Sequence, residues 1–250
     1  MNEFRKIGAL WYREVLRYWR EKSRIISSLI LPLLWLLVFG SGMRAIQMPG
    51  ITNYQMFIFP GILGMSLLFT SIWSGISVIW DREFGFLKEI MVAPVSRTSI
   101  VIGKALGSGT SAFIQGFILL PLSFLVGIRL EPLSFALLIP VMILLAIGLV
   151  GVGLLIASLM SSMEGFNFIM SLVIMPMFFT SGALFPLTDA PQWLKYFSYI
   201  NPMTYGVDML RWATLSGSAT VIPVPLEVLV LLAFAAAMIV ACSYTFSVKK

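Results

Sequence analysis

The sequence predicts an all-α integral membrane protein. Six transmembrane helices follow an N-terminal amphipathic interfacial helix, with one polar connector helix on the cytoplasmic side and short outer re-entrant helices before the last span. Three observations predict this. The 250 residues are 59% hydrophobic and only 11% charged, with a mean hydropathy of +0.96, whereas a soluble domain carries roughly 25% charged residues. Six segments are apolar over about the 20 residues, at ~1.5 Å each, that a helix needs to cross the hydrocarbon core. Lys and Arg are confined largely to alternate loops, the bias that orients membrane proteins.

Residues 1–24 read as a helix lying in the membrane interface. Phe4, Ile7, Trp11, Val15 and Tyr18 recur at helical spacing, and Arg13, Arg17, Arg20 and Arg24 form a second stripe at the same period. Such a two-faced pattern suits an interfacial helix, with Trp11, Tyr12, Tyr18 and Trp19 at the headgroup level. A basic tail that only sets topology explains the charges but not the two faces. The basic region is too long for a signal peptide, and no cleavage site follows it.

The six spans are expected at about 25–43, 56–79, 105–128, 133–160, 166–185 and 226–248. With the N-terminus inside, the segments 1–24, 80–104, 161–165 and 249–250 carry 13 of the 17 Lys and Arg, leaving Arg44, Arg129, Lys195 and Arg211 outside. Both termini are therefore expected in the cytoplasm. The net charge of +6 raises the possibility of a nucleic-acid partner, but its distribution follows membrane topology instead. Small residues four apart, Gly103 with Gly107, Ser71 with Gly75, Gly153 with Ala157 and Ala237 with Ala241, permit close helix approach.

The segment 186–225 is neither fully apolar nor polar. Pro191 starts a short helix with Trp193, Leu194 and Phe197 on one face. Asn201-Pro202 breaks it, and a second helix over about 203–215 carries Tyr205, Asp208 and Arg211.

Several function classes are disfavoured. No Asp, Glu, Lys or Arg falls in the middle of an expected span, which argues against a proton-coupled carrier. Neither a charged ring nor a carbonyl filter marks an ion channel. There is no His, and the single Cys242 excludes an internal disulfide. The phosphate-cradling G-x-x-x-x-G-K-[ST] is missing: Gly103-Lys104 is followed by Ala105, with Thr98 where the first glycine belongs. Any ATP-driven work therefore needs a partner chain. A lining of Phe, Met, Leu, Ser, Thr and Gly suits a lipid-like or amphipathic substrate better than an ion.

The only long polar interval inside the hydrophobic body runs from Trp80 to Lys104. Residues 81–92 read as a short helix with Phe84, Leu87 and Met91 on one side and charges around it, stopped by Pro94. An apolar ridge ringed by charge suits docking into a partner's groove. From the residues alone, a solvated loop with topogenic charges explains it equally well.

This connector, E-F-G-F-L-K-E-I-M-V-A-P-V-S-R-T-S-I-V-I-G-K, resembles that of the ABC-2 type permeases, the membrane subunits of many ATP-binding-cassette exporters. Glu83, Gly85, Leu87, Lys88, Pro94, Ser96, Arg97, Gly103 and Lys104 carry the likeness. A second match is S-G-A-L-F-P at 181–186 followed by N-P-M-T-Y-G-V-D-M-L-R at 201–211. The branch with daunorubicin-type drug permeases and the nodulation-factor permease is the most similar.

The resemblance implies a permease subunit of an exporter in the cell inner membrane, not itself an enzyme, working with two ATPase subunits and a second permease subunit as a homodimer. ATP and Mg would be bound by the ATPase, leaving this chain without a cofactor. Residues 81–92 would be a coupling helix seated on the ATPase, drawing on Asp81, Arg82, Glu83, Gly85, Phe86, Leu87, Lys88, Glu89, Pro94 and Arg97. The segment 186–215 would form outer helices capping the exit. Substrate would contact the second and fifth spans, where Phe69, Trp73, Met175, Phe178 and Phe179 are candidate lining residues. A membrane scaffold, or a facilitator that uses no ATP, is the competing expectation.

Overall fold

The computed structural model describes residues 3–43, 53–85, 96–160, 162–188, 190–215 and 222–248. These are helices joined by turns, with no strand among them. In chain order they are α1 (Glu3–Arg20), α2 (Lys22–Leu34), which runs on through a π turn at Trp35–Phe39 to Gly42, α3 (Tyr54–Trp73), α4 (Ile76–Glu83), α5 (Arg97–Leu119), α6 (Leu122–Leu125), α7 (Pro132–Leu159), α8 (Met163–Phe179), α9 (Gln192–Ile200), α10 (Pro202–Thr214) and α11 (Val224–Val248). Among the described residues, five stretches are long and apolar enough to cross a membrane: Ile25–Gly42, Tyr54–Glu83, Arg97–Leu125, Pro132–Leu159 and Val224–Phe246.

Helix starts follow local chemistry. Asn53 accepts from Gln55 N, Ser96 Oγ from Ser99 N, Ser162 Oγ from Gly165 N and Asn201 Oδ1 from Met203 N, each satisfying a first-turn donor that has no partner within its helix. Pro132 and Pro202 open α7 and α10, where a missing N–H costs nothing.

Helix α7 packs against α3, α5, α10 and α11. Lipid tails are as apolar as the side chains, so close backbone approach must hold such helices together. Gly75 and Gly153 do this: a Cβ on Gly75 would stand 2.3 Å from the Gly153 carbonyl oxygen, and one on Gly153 would stand 2.3 Å from that of Ile72. The helix tightens there into i→i−3 bonds (Gly75 N to Ile72 O, 3.0 Å; Val78 N to Gly75 O, 2.9 Å), which divides α3 from α4. Of the anticipated small-residue pairs, Ala237 with Ala241 makes no such seam; Ala237 is exposed.

Several boundaries move. The third span was expected to begin at Ala105, but α5 starts at Arg97, because Ser96 caps it and nothing breaks the helix between them. The fifth apolar segment was expected over 166–185; α8 is only 17 residues, about 26 Å long. It ends at Phe179, where the chain turns through Gly182 (φ +71°) and lays Ala183 on Gly61 so closely that a Cβ at Gly61 would meet the Ala183 carbonyl oxygen at 2.4 Å. Irregular backbone at membrane depth needs its carbonyls satisfied. Asn201 Nδ2 donates to Met177 O, Ser198 Oγ to Thr180 O, Arg211 Nη2 to Gly182 O and Tyr54 OH to Leu184 O. The S-G-A-L-F-P and N-P-M-T-Y motifs are thus two halves of one packing unit.

Helix α1 lies along α5. Gly103 and Gly107 receive it, since a Cβ at either would meet Leu10 Cβ at 2.7 Å or Glu14 Cβ at 2.5 Å. Its packed face is Ile7, Leu10, Glu14 and Tyr18, a rotation from the apolar stripe read in the sequence, which leaves Phe4 85% exposed. Tyr18, assigned to the headgroup level, is instead buried and donates to Gln115 Oε1 at 2.7 Å.

Candidate functional site

The connector's described ends rest on a buried ionic cluster. Seating α1 on Gly103 and Gly107 brings Glu14 and Arg13 to Lys104, and α4 brings Asp81 from the other side. Lys104 is fully buried, two turns into α5. Its Nζ lies 2.5 Å from Asp81 Oδ2, 3.1 Å from Glu14 Oε1 and 3.3 Å from Ser77 Oγ. Arg13 closes the ring with Nη2 donating to Asp81 Oδ1 at 2.8 Å and Nη1 to Glu14 Oε1 at 3.3 Å. Two cations thus face two anions, the pairing a buried charge requires. Burial works against the Arg13 charge, but the hydrogen bond and field of Asp81, helped by Glu14, hold its pKa above the ordinary arginine value. Arg17 extends the cluster, 3.9 Å from Asp81 Oδ1 and 4.7 Å over the Trp80 ring.

Other helix ends gather at the same place. Arg82 Nη1 donates to Met160 O at 2.7 Å, tying α4 to the end of α7. Arg97 Nη1 donates to Phe246 O at 2.5 Å, tying the start of α5 to the end of α11. Glu3 accepts from Lys6 at 2.6 Å, Ser99 Oγ at 2.6 Å and Ser96 Oγ at 3.1 Å, joining the start of α1 to that of α5. The Lys6 and Ser99 bonds hold the Glu3 carboxyl down at about 2.

The expected connector residues divide accordingly. Asp81, Arg82 and Glu83 do not open a separate helix; they finish α4, which continues from α3. That helix stops at Phe84, because Gly85 takes φ +76°, a left-handed conformation that glycine adopts freely. Glu83 and Phe84 are exposed. Phe86, Leu87, Lys88, Glu89 and Pro94 lie outside the described residues.

Of the expected lining residues, Phe69 and Trp73 border a cavity of about 270 Å³ between α1, α2 and α3. Met175, Phe178 and Phe179 do not line it. Phe178 is buried edge-on against Trp35 at 5.8 Å, while Met175 and Phe179 are about half exposed on α8.

Sequence reading missed Glu14 and the burial of Lys104. The available signal was that Glu14 shares a helical face with Ile7 and Tyr18, an acid on a stripe of apolar residues. A second cluster was also missed at the opposite end of the bundle. Arg211 Nη1 lies 3.7 Å from Asp208 Oδ1, its guanidinium is 4.2 Å over the Phe57 ring, and the fully buried Glu227 of α11 lies against Asp208. Burial pulls the Arg211 guanidinium down to about 10, against the opposing pull of Asp208.

Helix ends converging on one polar segment suit a membrane subunit driven from outside the bilayer, and comparison with known proteins supplies the class. The ABC-2 type transporter family matches over residues 5–215. The chain belongs to the ABC-2 type transporter family. It is 34% identical over 198 residues to the putative transport permease ycf38 of Cyanophora paradoxa, covering 77% of this chain and 68% of that one. It is 30% identical over 164 residues to the probable multidrug ABC transporter permease YbhR of Escherichia coli (strain K12), 64% and 44% of the two chains. Nodulation protein J of Rhizobium meliloti (strain 1021) is 26% identical over 209 residues, 81% and 79%. As an ABC-2 family chain with several membrane-length helices, this is a multi-pass membrane protein, the transport subunit of an ABC transporter that partners an ABC ATPase.

Proposed function

We propose that this ABC-2 chain is the permease subunit of an exporter in the cell inner membrane. It moves a hydrophobic or amphipathic molecule outward, a drug, a lipid or a lipid-linked glycan, using ATP and Mg bound by two copies of the partner ATPase. Two copies of the chain form the path, both termini are cytoplasmic, α1 lies at the interface, and α9 and α10 cap the outer side. Of the expected coupling residues 81–92, those from Glu83 onward seat on the ATPase, Asp81 and Arg82 anchor them to the bundle, and closure of the ATPase pair moves the helices from which they project.

One observation carries this reading. The described residues flanking 86–95 are joined by ion pairs and hydrogen bonds to α1, α7 and α11 as well as to α4 and α5. A push on that segment therefore reaches five helices through charge-assisted contacts, which are stronger and more directional than neutral ones. A loop that only set topology would have no use for such anchoring.

The test is reconstitution of the chain with its ATPase in inside-out vesicles, following uptake of a fluorescent amphipath. Uptake that requires ATP and both proteins is the expected result. Equilibration without ATP would make the chain a facilitator, and no flux despite a bound ATPase would make it a scaffold.

A further inference from the structure

The cavity between α1, α2 and α3 has two chemically distinct ends. Leu31, Pro32, Met65, Phe69 and Trp73 supply an apolar wall, and among the described residues the walls include no charged side chain. At about 270 Å³ it falls just below the ~300–1,000 Å³ of ordinary small-molecule sites. Beside it lies a recess of about 20 Å³ bordered by Ser74, Ser77, Ser108 and Ser111; both spaces share Tyr18 and Thr70. The recess has room for about one water-sized group.

The hydroxyls around these spaces are arranged to receive a donor. Ser74 Oγ donates to Ser71 O at 2.6 Å and Ser111 Oγ to Gly107 O at 3.0 Å, so each presents its lone pairs as acceptors. Tyr18 OH donates to Gln115 Oε1, and Ser77 Oγ accepts from Lys104. A buried hydroxyl on the cavity wall has no partner: Ser66 Oγ, on a residue only 3% exposed. A buried hydroxyl left unmatched is unfavourable, so it marks a place where a ligand or water belongs. Glu14 and Arg17 also line the recess, but their charges are engaged with Lys104 and with Asp81 and Glu21.

We propose that the cavity between α1, α2 and α3 binds a neutral amphipath, an apolar body ending in a hydroxyl, with the body against Phe69 and Trp73 and the hydroxyl in the serine recess. A charged head does not suit it, because the recess holds one water-sized group and its ions are already paired. In the topology proposed above, the hydroxyl end points toward the cytoplasmic side, the orientation of an inner-leaflet lipid. That orientation rests on the exporter reading; binding itself does not. The occupant is either a resident bilayer lipid or cargo awaiting transport.

The experiment uses the full chain in lipid nanodiscs and a long-chain alcohol bearing a photoactivatable diazirine. Matched probes end in a carboxylate or a trimethylammonium. Expected is saturable labelling of peptides covering Met65–Trp73, about tenfold above either charged probe. Thr70→Phe, which fills the space, should abolish this labelling. Thr70→Val keeps the volume and removes one hydroxyl, so it should retain labelling but narrow the preference for the alcohol over a methyl-ended probe. Labelling that does not saturate and is equally dense on the lipid-exposed Val224–Phe246 helix would overturn the proposal, as would equal labelling by the charged probes. Adding the ATPase and ATP separates the sources: loss of label identifies cargo, and retention identifies a resident lipid. Both leave the site standing, whereas failure of the exporter reading would show as label unaffected by ATP beside absent vesicle uptake.

Discussion

Lys104→Ala is expected to lower the thermal stability of the solubilised chain more than any other single substitution on the connector side. Lys104 is fully buried and is the cation nearest both Asp81 and Glu14. Removing it leaves two buried carboxylates sharing Arg13, and breaking a buried pair in this way costs roughly 3–5 kcal/mol. Gly103 and Lys104 belong together physically: the glycine lets α1 approach, and the lysine pairs with the acid that α1 brings. The double replacement Lys104→Met, Glu14→Gln removes one charge of each sign, keeps the Arg13–Asp81 pair and should recover most of the loss. Size-exclusion profiles after heating would report both. A single variant as stable as the parent would show that the cluster carries no stability.

Gly85→Pro is expected to abolish transport while the ATPase continues to hydrolyse ATP and the chain remains inserted. Gly85 sits at φ +76° and its N–H donates to Arg82 O at 3.2 Å; proline is locked near φ −65° and has no N–H. The exit direction from α4 must then change. Charge reversal at exposed Glu83, or at Lys88, should act the same way by removing register on the partner. Transport should fall about tenfold or more, within the range of a coupling free energy of ~1–3 kcal/mol. Parallel loss of transport and hydrolysis would instead indicate lost assembly, and unchanged transport would remove these residues from the coupling path.

Much of the bundle was legible because composition and apolar length are strong signals. Where the fourth span was expected at 133–160 a helix runs over Pro132–Leu159, and where the last was expected at 226–248 a helix runs over Val224–Val248. Gly103 with Gly107 does receive a helix, whereas Gly75 and Gly153, read as members of separate pairs with Ser71 and Ala157, close on each other across two helices. What could not be read was pairing across distant sequence. Glu14 and Lys104 lie 90 residues apart, and neither reveals alone that it is buried. Helical periodicity gave the existence of α1 but not its rotation, because a helix with Trp and Tyr on several sides offers more than one apolar stripe. The end of α8 was misplaced for a related reason. Residues 180–185 are apolar enough to continue a span, and only donors from Tyr54, Ser198 and Arg211 make a turn there affordable.

In the proposed function, an ATPase docks on the segment between α4 and α5. Affinity purification of the tagged chain in mild detergent tests it most directly. An ATP-binding-cassette ATPase is expected in near-equal amount and is expected to be lost when residues 83–89 are scrambled. Recovery of the chain alone in several detergents, or an ATPase retained by the scrambled variant, would contradict it.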